Sequence, residues 1–459
     1  MLEREDLFYK QKNVFDILSD EELKACEEYA RGYMRYLSDA RTEREAVREA
    51  VELAKSAGFT EYVFGKQYSP GDKVYYVNRK KALFLAVFGR KPLSEGVNLA
   101  AAHVDSPRLD LKQVPMHEDS EIAFFKTHYY GGVKKYQWVA IPLELHGIVV
   151  KKDGQTADIT VGRQEGEPRF CITDLLPHLG AEQMKKTMSE GISGENLRIV
   201  IGSRPDASQG DDRVKLAVLK ILNEKYGISE EDFLSAELMA VPAFGVDDIG
   251  FDRSLIGGYG HDDRVCAYAE LKAIIDTSAP EKTAVCLLVD KEEIGSEGVS
   301  GMQSRTFDRF MDDICRTGGA DLYECYSKSF CLSADVCNAF DPTYPEVSDK
   351  RSNSKLNYGG GIMKFTGRGG KSGSADASAE VVGRVRRMFS DNGVVWQLGE
   401  LGKVDQGGGG TVAAYTANRD IDTIDAGVPV LSMHAPYEIV SKADCYMTYK
   451  AMLALYKEN

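Results

Sequence analysis

Continuous apolar runs that stop abruptly on a polar residue are the clearest pattern along the chain. Three of them, at 97–103, 284–289 and 330–334, end on or lead directly into histidine or aspartate side chains. A strand buried on both faces of a parallel sheet has this continuous apolar sequence, whereas a half-exposed strand alternates. The pattern therefore predicts three buried strands with polar residues at their carboxyl ends.

Segments with helical periodicity alternate with these strands. Two N-terminal helices begin with a capping box, in which a hydroxyl and a carboxylate satisfy the first amides, formed by Ser19 with Glu22 and Thr42 with Glu45. Further helices are predicted at 264–275, 304–317, 374–389 and 442–456, and further strands at 73–78, 82–88, 394–398 and 428–433. Such alternation is typical of an α/β sheet covered by helices.

The middle of the chain has a different pattern. Short alternating segments at 138–145, 147–152 and 157–161 are separated by turn signals, which predicts a β-rich unit. The polar stretch 184–212 is predicted to be a loop. We therefore expect a three-layer α/β/α catalytic domain, with a central mixed, largely parallel sheet, formed by residues 1–108 and 246–459. A β-rich inserted domain would occupy residues 109–245.

Composition excludes several classes of protein. A formal net charge of −14 over 459 residues argues against a nucleic-acid binder, which would carry a basic face. The chain starts without the basic and apolar regions of a signal peptide, and no apolar run reaches membrane-spanning length. Nine cysteines without CxxC spacing indicate reduced thiols. These features predict a cytoplasmic protein that binds neither nucleic acid nor membrane.

Residues of metal-binding type occur at five places in the sequence, each at the end of a strand or in a glycine-rich loop. These residues are His103 with Asp105, Asp262, Glu292 with Glu293, Asp335, and His434. In α/β sheets, ligands collect at the carboxyl ends of the strands. Adjacent carboxylates resist joint ionisation, and a metal ion would relieve that cost. Two histidines with several carboxylates suit Zn²⁺, Mn²⁺ or Co²⁺ better than Mg²⁺.

Each place also has a simpler interpretation. Asp262 or its neighbour Asp263 could only cap the following helix. Glu292 and Glu293 could form a solvated corner, and a single histidine is more often structural than a ligand. The shared position argues for one site, because all five places follow apolar strands or a glycine loop. Two ions would need a shared ligand, and one carboxylate would remain as a base.

The ordered set of motifs resembles the M18 metallopeptidases, the aspartyl aminopeptidase family, and in particular a bacterial-type member. The motifs are His103-Val-Asp105-Ser-Pro-Arg108, Asp262, Glu292-Glu293-Ile-Gly-Ser, Ser333-Ala-Asp335 and Ser432-Met-His434. The resemblance spans nearly the whole chain and includes the long insertion between the first two motifs. It implies an enzyme that hydrolyses the N-terminal residue of peptides.

The resemblance also implies a site with two divalent metal ions per subunit, which would be zinc, with manganese or cobalt as alternatives. Its metal ligands would be His103, Asp262, Glu293, Asp335 and His434. Asp262 would bridge the ions, one of which would also be bound by His103 and Asp335, and the other by Glu293 and His434. Glu292 would be the general base, and Asp105 would orient His103.

By the same resemblance, the inserted domain would mediate contacts in a homo-oligomer, a dodecamer with enclosed active sites. His146 would reach the active site of a neighbouring subunit, and Lys364 with Lys371 would bind an acidic first residue of the peptide. The chain departs from the family at two segments, where Asn338 replaces a histidine and Arg368-Gly-Gly-Lys371 replaces Gln-Arg-Tyr-Ala. These departures predict an altered or broader substrate preference.

Two other functions remain open at the level of sequence. The first is another dinuclear metallohydrolase on a similar sheet, such as a deacylase or a carboxypeptidase. The second is a non-catalytic scaffold that forms a shell. The complete set of ligand-type residues, together with Glu292, argues against the scaffold.

Overall fold

A computed structural model describes residues 7–459. Residues 1–6, on which part of the signal-peptide argument rests, lie outside the described part. The chain divides into two compact units. The first unit comprises Met1–Asp105, Val246–Met433 and Glu438–Asn459, and the second comprises Ser106–Gly245 and His434–Tyr437. Within residues 7–459, no helix is both long and apolar enough to cross a membrane.

A nine-stranded mixed sheet forms the centre of the first unit. In spatial order its strands are β1 (Thr60–Glu61), β2 (Lys73–Asn78), β3 (Ala82–Val87), β14 (Thr283–Val289), β4 (Val97–His103), β15 (Phe330–Ser333), β19 (Asp422–Gly427), β17 (Gly360–Met363) and β18 (Trp396–Leu398). The four strands β14, β4, β15 and β19 run parallel. Their residues are fully buried almost throughout, as the continuous apolar runs predict.

Helices cover both faces of this sheet. The helices of the first unit are α1 (Asp20–Asp39), α2 (Glu43–Ser56), α5 (His261–Asp276), α6 (Thr306–Thr317), α7 (Leu322–Ser327), α8 (Ala379–Asp391), α9 (Ala413–Ala417) and α10 (Lys442–Lys457). One apolar core contains residues of α1, α2, α5, α8 and α10, and a second contains residues of α6 and α7. Successive residues of β4 and β14 alternate between the two cores. The predicted three-layer α/β/α fold is confirmed.

A smaller sheet completes the first unit. Its five strands, in spatial order, are β12 (Asp247–Ile249), β13 (Leu255–Gly258), β21 (Glu438–Ser441), β20 (Pro429–Leu431) and β16 (Cys337–Asn338). The strand predicted at 428–433 is therefore shorter than expected and belongs to this sheet. Helix α8 begins at Ala379 and not at residue 374, because the Ser378 hydroxyl accepts the amide of Val381 and caps the helix there.

The second unit contains a seven-stranded antiparallel sheet. Its strands, in spatial order, are β8 (Thr156–Val161), β7 (Leu143–Val150), β11 (Ala236–Pro242), β5 (Arg108–Asp119), β6 (Ile122–Tyr130), β10 (Arg198–Gly202) and β9 (Cys171–Ile172). The helices are α3 (Ala181–Met184) and α4 (Arg213–Tyr226). The prediction that 184–212 is only a loop was wrong, because β10 pairs there with both β6 and β9.

Candidate metal centre

The carboxyl ends of three parallel strands meet at one edge of the central sheet. Strand β4 lies between β14 and β15, and its last residue, His103, is paired with Val289 at the end of β14. On the other side, Ala101 is paired with Ser333 at the end of β15. The chain then continues from these ends into the polar residues that were singled out in the sequence. The pairing of these strands therefore brings together residues that lie more than 200 positions apart in the sequence.

The imidazole of His103 lies among three carboxylates. Its Nε2 atom is 3.2 Å from Oδ1 of Asp262, 3.8 Å from Oε2 of Glu292 and 3.9 Å from Oδ1 of Asp335. Ligand atoms of His103, Asp262 and Asp335 all lie within 4.8 Å of one another, and all three residues are buried. These three residues form the first ligand group.

Asp105 contacts both the histidine and the glutamate pair. The nearest acceptor to Nδ1 of His103 is the Asp105 backbone carbonyl at 3.0 Å, and the Asp105 carboxylate follows at 3.3 Å. The two carboxylate oxygens of Asp105 accept the backbone amides of Glu292 and Glu293, each at 3.2 Å. Sequence reasoning predicted a contact with His103 but missed this second contact.

The glutamate pair lies on a short turn directly after β14. Residues Glu292–Ile294 form one turn of 3-10 helix, with Lys291 before it at a φ of 71° and Gly295 after it at a φ of 100°. Both flanking residues have left-handed backbone conformations, which glycine adopts readily. Because the Asp105 carboxylate accepts the first two amides of the turn, the carboxylates of Glu292 and Glu293 leave the sheet edge in fixed directions.

Asp262 lies at the start of α5 but is not merely a helix cap. Its φ and ψ of −78° and 108° are not helical, and its carboxylate lies beside His103. The Asp262 amide donates to Oε2 of Glu438 at 3.1 Å, and Glu438 is almost fully buried. The peptide bond between Asp262 and Asp263 is cis. The sequence predicts no role for Glu438, since nothing in its spacing connects it with Asp262.

The electrostatics of the first ligand group favour a cation. Burial raises the pKa of Asp335 well above its usual range, and the nearby charges of Glu292 and Asp263 raise it further. Burial also raises the pKa of Asp263, whose carboxylate accepts the His103 amide. Burial lowers the pKa of His103, but hydrogen bonds to Asp105 and Asp262 outweigh this and raise it well above its usual value. The carboxylates therefore stabilise positive charge at the position of Nε2.

Two further predicted ligands, Glu293 and His434, belong to different units of the chain. His434 follows the apolar strand β20, and its Nδ1 atom is 2.8 Å from the carbonyl oxygen of Gly132. Three of the five predicted ligands thus converge in the first ligand group. One imidazole and two carboxylates there suit a divalent ion of the zinc type. The residues present fit the metal ions that the sequence predicts.

His146 lies in the second unit, in strand β7. Its side chain is fully buried, and its Nε2 atom is 3.2 Å from Oε1 of Glu144. The pairing of His146 with Met239 and Thr160 fixes it between β11 and β8. Within one chain, this histidine is therefore a core residue of the second unit.

The two predicted substrate-binding lysines have different surroundings. Met363 at the end of β17 is paired with Asp425, and Asp425 is paired with Ser333. Lys364, the next residue, therefore lies about level with the end of β15. Two strand spacings, or about 10 Å, separate Lys364 from the end of β15. Lys364 is exposed, whereas the ammonium of Lys371 is 3.1 Å from the Asp376 carboxylate and lies over the Phe365 ring.

Known proteins share both the sequence and the fold of this chain. A family model described as aminopeptidase I zinc metalloprotease (M18) matches residues 36–456. A probable M18 family aminopeptidase 1 of Borrelia garinii subsp. bavariensis is 46% identical over 457 residues, which cover 98% of this chain and 100% of the relative. A crystal structure of an M18-family aminopeptidase from Thermotoga maritima superposes with a TM-score of 0.94 at 44% identity, covering 98% of this chain and 100% of that one. A dodecamer of mature Ape1 from S. cerevisiae has the same fold, with a TM-score of 0.77 at 20% identity over 94% of this chain and 97% of that one.

Proposed function

The chain belongs to the M18 family of zinc metalloproteases, a family of aminopeptidases, and we propose that it removes single residues from the free N-termini of peptides. The observation that carries this proposal is the first ligand group, in which His103, Asp262 and Asp335 converge within 4.8 Å at the carboxyl edge of the sheet. Glu292 lies next to this group and could exchange protons with a bound substrate.

We propose that two metal ions bind per subunit, with zinc as the metal and manganese or cobalt as possible replacements. Asp262 would be shared by both ions, as the resemblance to the M18 family implies. His103 and Asp335 would complete one set of ligands, and Glu293 and His434 the other. The hydrogen bonds of Asp105 support this assignment, because they fix the turn that carries Glu293.

When bound, the metal ions would polarise the carbonyl of the first peptide bond and allow a water molecule to lose a proton near neutral pH. Glu292 would accept that proton on its carboxylate and later deliver it to the leaving amine. Asp105 would hold the Glu292 backbone in place through the Glu292 amide. Glu293, the next residue, has its own amide bound by the other carboxylate oxygen, so the two glutamates would keep separate roles.

Lys364 is the better candidate of the two lysines for recognising an acidic first residue. It is exposed and lies about level with the end of β15, from which Asp335 follows. The charge of Lys371 is already paired with Asp376, which weakens its attraction for a second carboxylate. We therefore propose that the enzyme prefers acidic first residues. Because this preference would rest on one lysine, we expect it to be modest.

We propose that the chain assembles into a homo-oligomer of twelve subunits through its second unit. The yeast relative with the same fold is a dodecamer. The second unit exposes a group of apolar side chains between residues 175 and 188 that association would bury, namely Leu175, Leu176, Leu179, Met184 and Met188. His146 would act at a neighbouring subunit's site only if assembly rearranged its buried surroundings.

A reducing compartment such as the cytoplasm would suit the chain. All nine cysteines are free thiols, and eight of them are buried. Disulfides are rare in the cytoplasm because thiols are kept reduced there. We therefore propose a cytoplasmic location.

A panel of chromogenic substrates would test the proposed activity. Zinc-loaded protein would be assayed with p-nitroanilides of acidic, basic and apolar amino acids, each with a free and an acetylated amine. The proposal expects cleavage of the free-amine compounds, fastest for the acidic ones. Release of p-nitroaniline from only the acetylated compounds would favour an endopeptidase-like reaction. Release of acetate from them would favour a deacylase, and release of C-terminal residues from peptides would favour a carboxypeptidase.

A further inference from the structure

The far end of the Glu292–Glu293 turn is held by two side chains that have no role in the mechanism above. The carbonyl oxygen of Gly295, which closes the turn, accepts the side-chain amide of Gln303 at 2.8 Å. It also accepts the hydroxyl of Tyr415 at 3.2 Å. The same amide of Gln303 lies 3.3 Å from the Tyr415 hydroxyl, so the two donors and their acceptor form a closed triangle.

These donors come from firmly anchored parts of the first unit. Tyr415 lies in α9, where its carbonyl accepts a guanidinium N–H of Arg419 at 2.8 Å, and Arg419 is itself paired with Asp308 at 2.6 Å. The backbone amide of Gln303 donates to the carbonyl of Ser296 at 3.1 Å. The Gly295 carbonyl is therefore bound to groups whose own positions are fixed by other contacts.

The turn itself needs such support because it is exposed. Gly295 and Ile294 are both exposed to solvent, and one turn of 3-10 helix has few internal hydrogen bonds. At its beginning, the Asp105 carboxylate binds the amides of Glu292 and Glu293. Without the side chains of Gln303 and Tyr415, the Gly295 carbonyl would lose both of its side-chain donors, and backbone hydrogen bonds would be left to hold the end of the turn.

We infer that Gln303 and Tyr415 are positioning residues that hold the Glu292–Glu293 turn in register with the metal ligands. The inference deepens the proposed function, on which it rests. Glu292 must lie within hydrogen-bonding reach of the reacting groups, and a displacement of about 1 Å can lower the rate by about two orders of magnitude. Because Glu293 lies on the same turn, the same displacement would weaken the second set of metal ligands.

Three variants test this inference: Tyr415→Phe, Gln303→Met and the double variant. Each removes hydrogen-bond donors while keeping the size of the side chain. Both side chains border an open cavity of about 820 Å³, so that we expect the variants to fold. Tyr323→Phe is a matched control, since Tyr323 lines the same cavity and is 77% exposed.

The measurements are kcat and KM for a free-amine p-nitroanilide, the zinc dissociation constant by competition with a chelator, and the melting temperature. We expect kcat of the double variant to fall about tenfold and the zinc dissociation constant to rise about tenfold, with KM within about twofold of the wild type. The two single variants should not combine multiplicatively, since both donors bind one oxygen. Tyr323→Phe should match the wild type.

A folded double variant with kcat and zinc affinity within twofold of the wild type would overturn the inference, as would a change in KM alone. If the double variant does not fold, Tyr415→Phe decides by the same criteria. The zinc measurement keeps the two proposals separate. A wild-type protein that cleaves no substrate would refute the proposed function, while zinc affinity would still report whether Gln303 and Tyr415 position the turn.

Discussion

The two adjacent glutamates, for which we propose different tasks, are held by the same carboxylate. One oxygen of the Asp105 carboxylate binds the amide of Glu292 and the other binds the amide of Glu293. Glu292 also lies 3.8 Å from the Nε2 atom of His103, beside the first ligand group. In the proposed function, Glu292 therefore transfers protons and Glu293 binds metal.

Replacing Glu292 by glutamine should separate these two tasks. Glu292→Gln keeps the size and the backbone hydrogen bond to Asp105 but cannot accept a proton. We expect kcat to fall by about two to four orders of magnitude, the range for loss of a general base. Zinc content per chain, measured by mass spectrometry of the metal, should stay unchanged. Glu293→Gln is the comparison, and it should lose zinc as well as activity.

The ligand-type residues were predictable from the sequence because each follows an apolar strand or a glycine loop. The residues that fix these ligand-type side chains in place were not predictable from the sequence. Glu438 accepts the Asp262 amide across 176 positions, and Gln303 and Tyr415 meet at Gly295 from two different elements. Such contacts form only in the packed structure, and no local spacing in the sequence predicts them.

Strand β19 links the metal centre to the rest of the sheet, although the sequence did not predict it. The segment 422–427 contains two aspartates and a threonine and ends in glycine, a composition more typical of an exposed turn than of a buried strand. It is nevertheless buried between β15 and β17, and Asp425 in its middle is fully buried. Pairing with two neighbouring strands outweighs the low strand propensity of aspartate and glycine.

Gly427 at the end of β19 leaves no room for a side chain. A Cβ atom there would lie 1.7 Å from the carbonyl oxygen of Asp335. Gly427→Ala should therefore shift Asp335, weaken zinc binding at least tenfold and lower the free energy of unfolding by about 1–3 kcal/mol. Chelator competition and denaturant titration measure the two effects.

Gly383→Ala provides the control for this substitution. Its added methyl group would lie 3.7 Å from the flexible end of Arg387, in the interior of α8. Alanine favours a helix, so this variant should be equally or more stable. A Gly427→Ala variant with unchanged zinc affinity would contradict the role of β19 in fixing Asp335.

The buried carboxyl of Asp425 should make stability depend on pH. Burial raises its pKa to about 7, and the nearby hydroxyls of Ser333 and Thr411 oppose the shift, Thr411 by donating a hydrogen bond at 3.1 Å. In the unfolded chain the pKa is about 3.9. The protonated form therefore stabilises the fold fully below about pH 4, and this contribution is lost as pH rises through about 7.

An Asp425→Asn variant removes the titrating group. Between pH 5 and pH 8, the free energy of unfolding of the wild type should fall relative to that of the variant by an amount on the order of a few kcal/mol. Urea titrations at both pH values measure it. A difference between wild type and variant that stays constant with pH would show that Asp425 has the same pKa in both states.

For the whole molecule, the main expectation from sequence was an α/β domain interrupted by an insertion with different strand patterns. Strand β10 and the 14-residue helix α4 were missed in the insertion. Helix α4 buries only Val214 fully, so its sequence lacks the strong apolar stripe by which surface helices are predicted.

Assembly should depend on the apolar side chains that the second unit exposes. We expect light scattering to give a mass of about 600 kDa, twelve times the 50.7 kDa of the chain. The double substitution Leu179→Glu with Met188→Glu should give smaller species, because association would bury the new charges. Leu53→Glu, at an exposed position of α2, is the control and should keep the wild-type mass. An unchanged mass for the double variant would place the contacts elsewhere.

The most direct test of the metal centre is a zinc titration of protein from which metal has been removed. Aliquots of zinc would be added while hydrolysis of a free-amine p-nitroanilide and bound zinc are measured together. We predict negligible activity without metal and a maximum at two bound zinc ions per chain. Full activity in the metal-free protein, or no gain on saturation with zinc, manganese or cobalt, would contradict it.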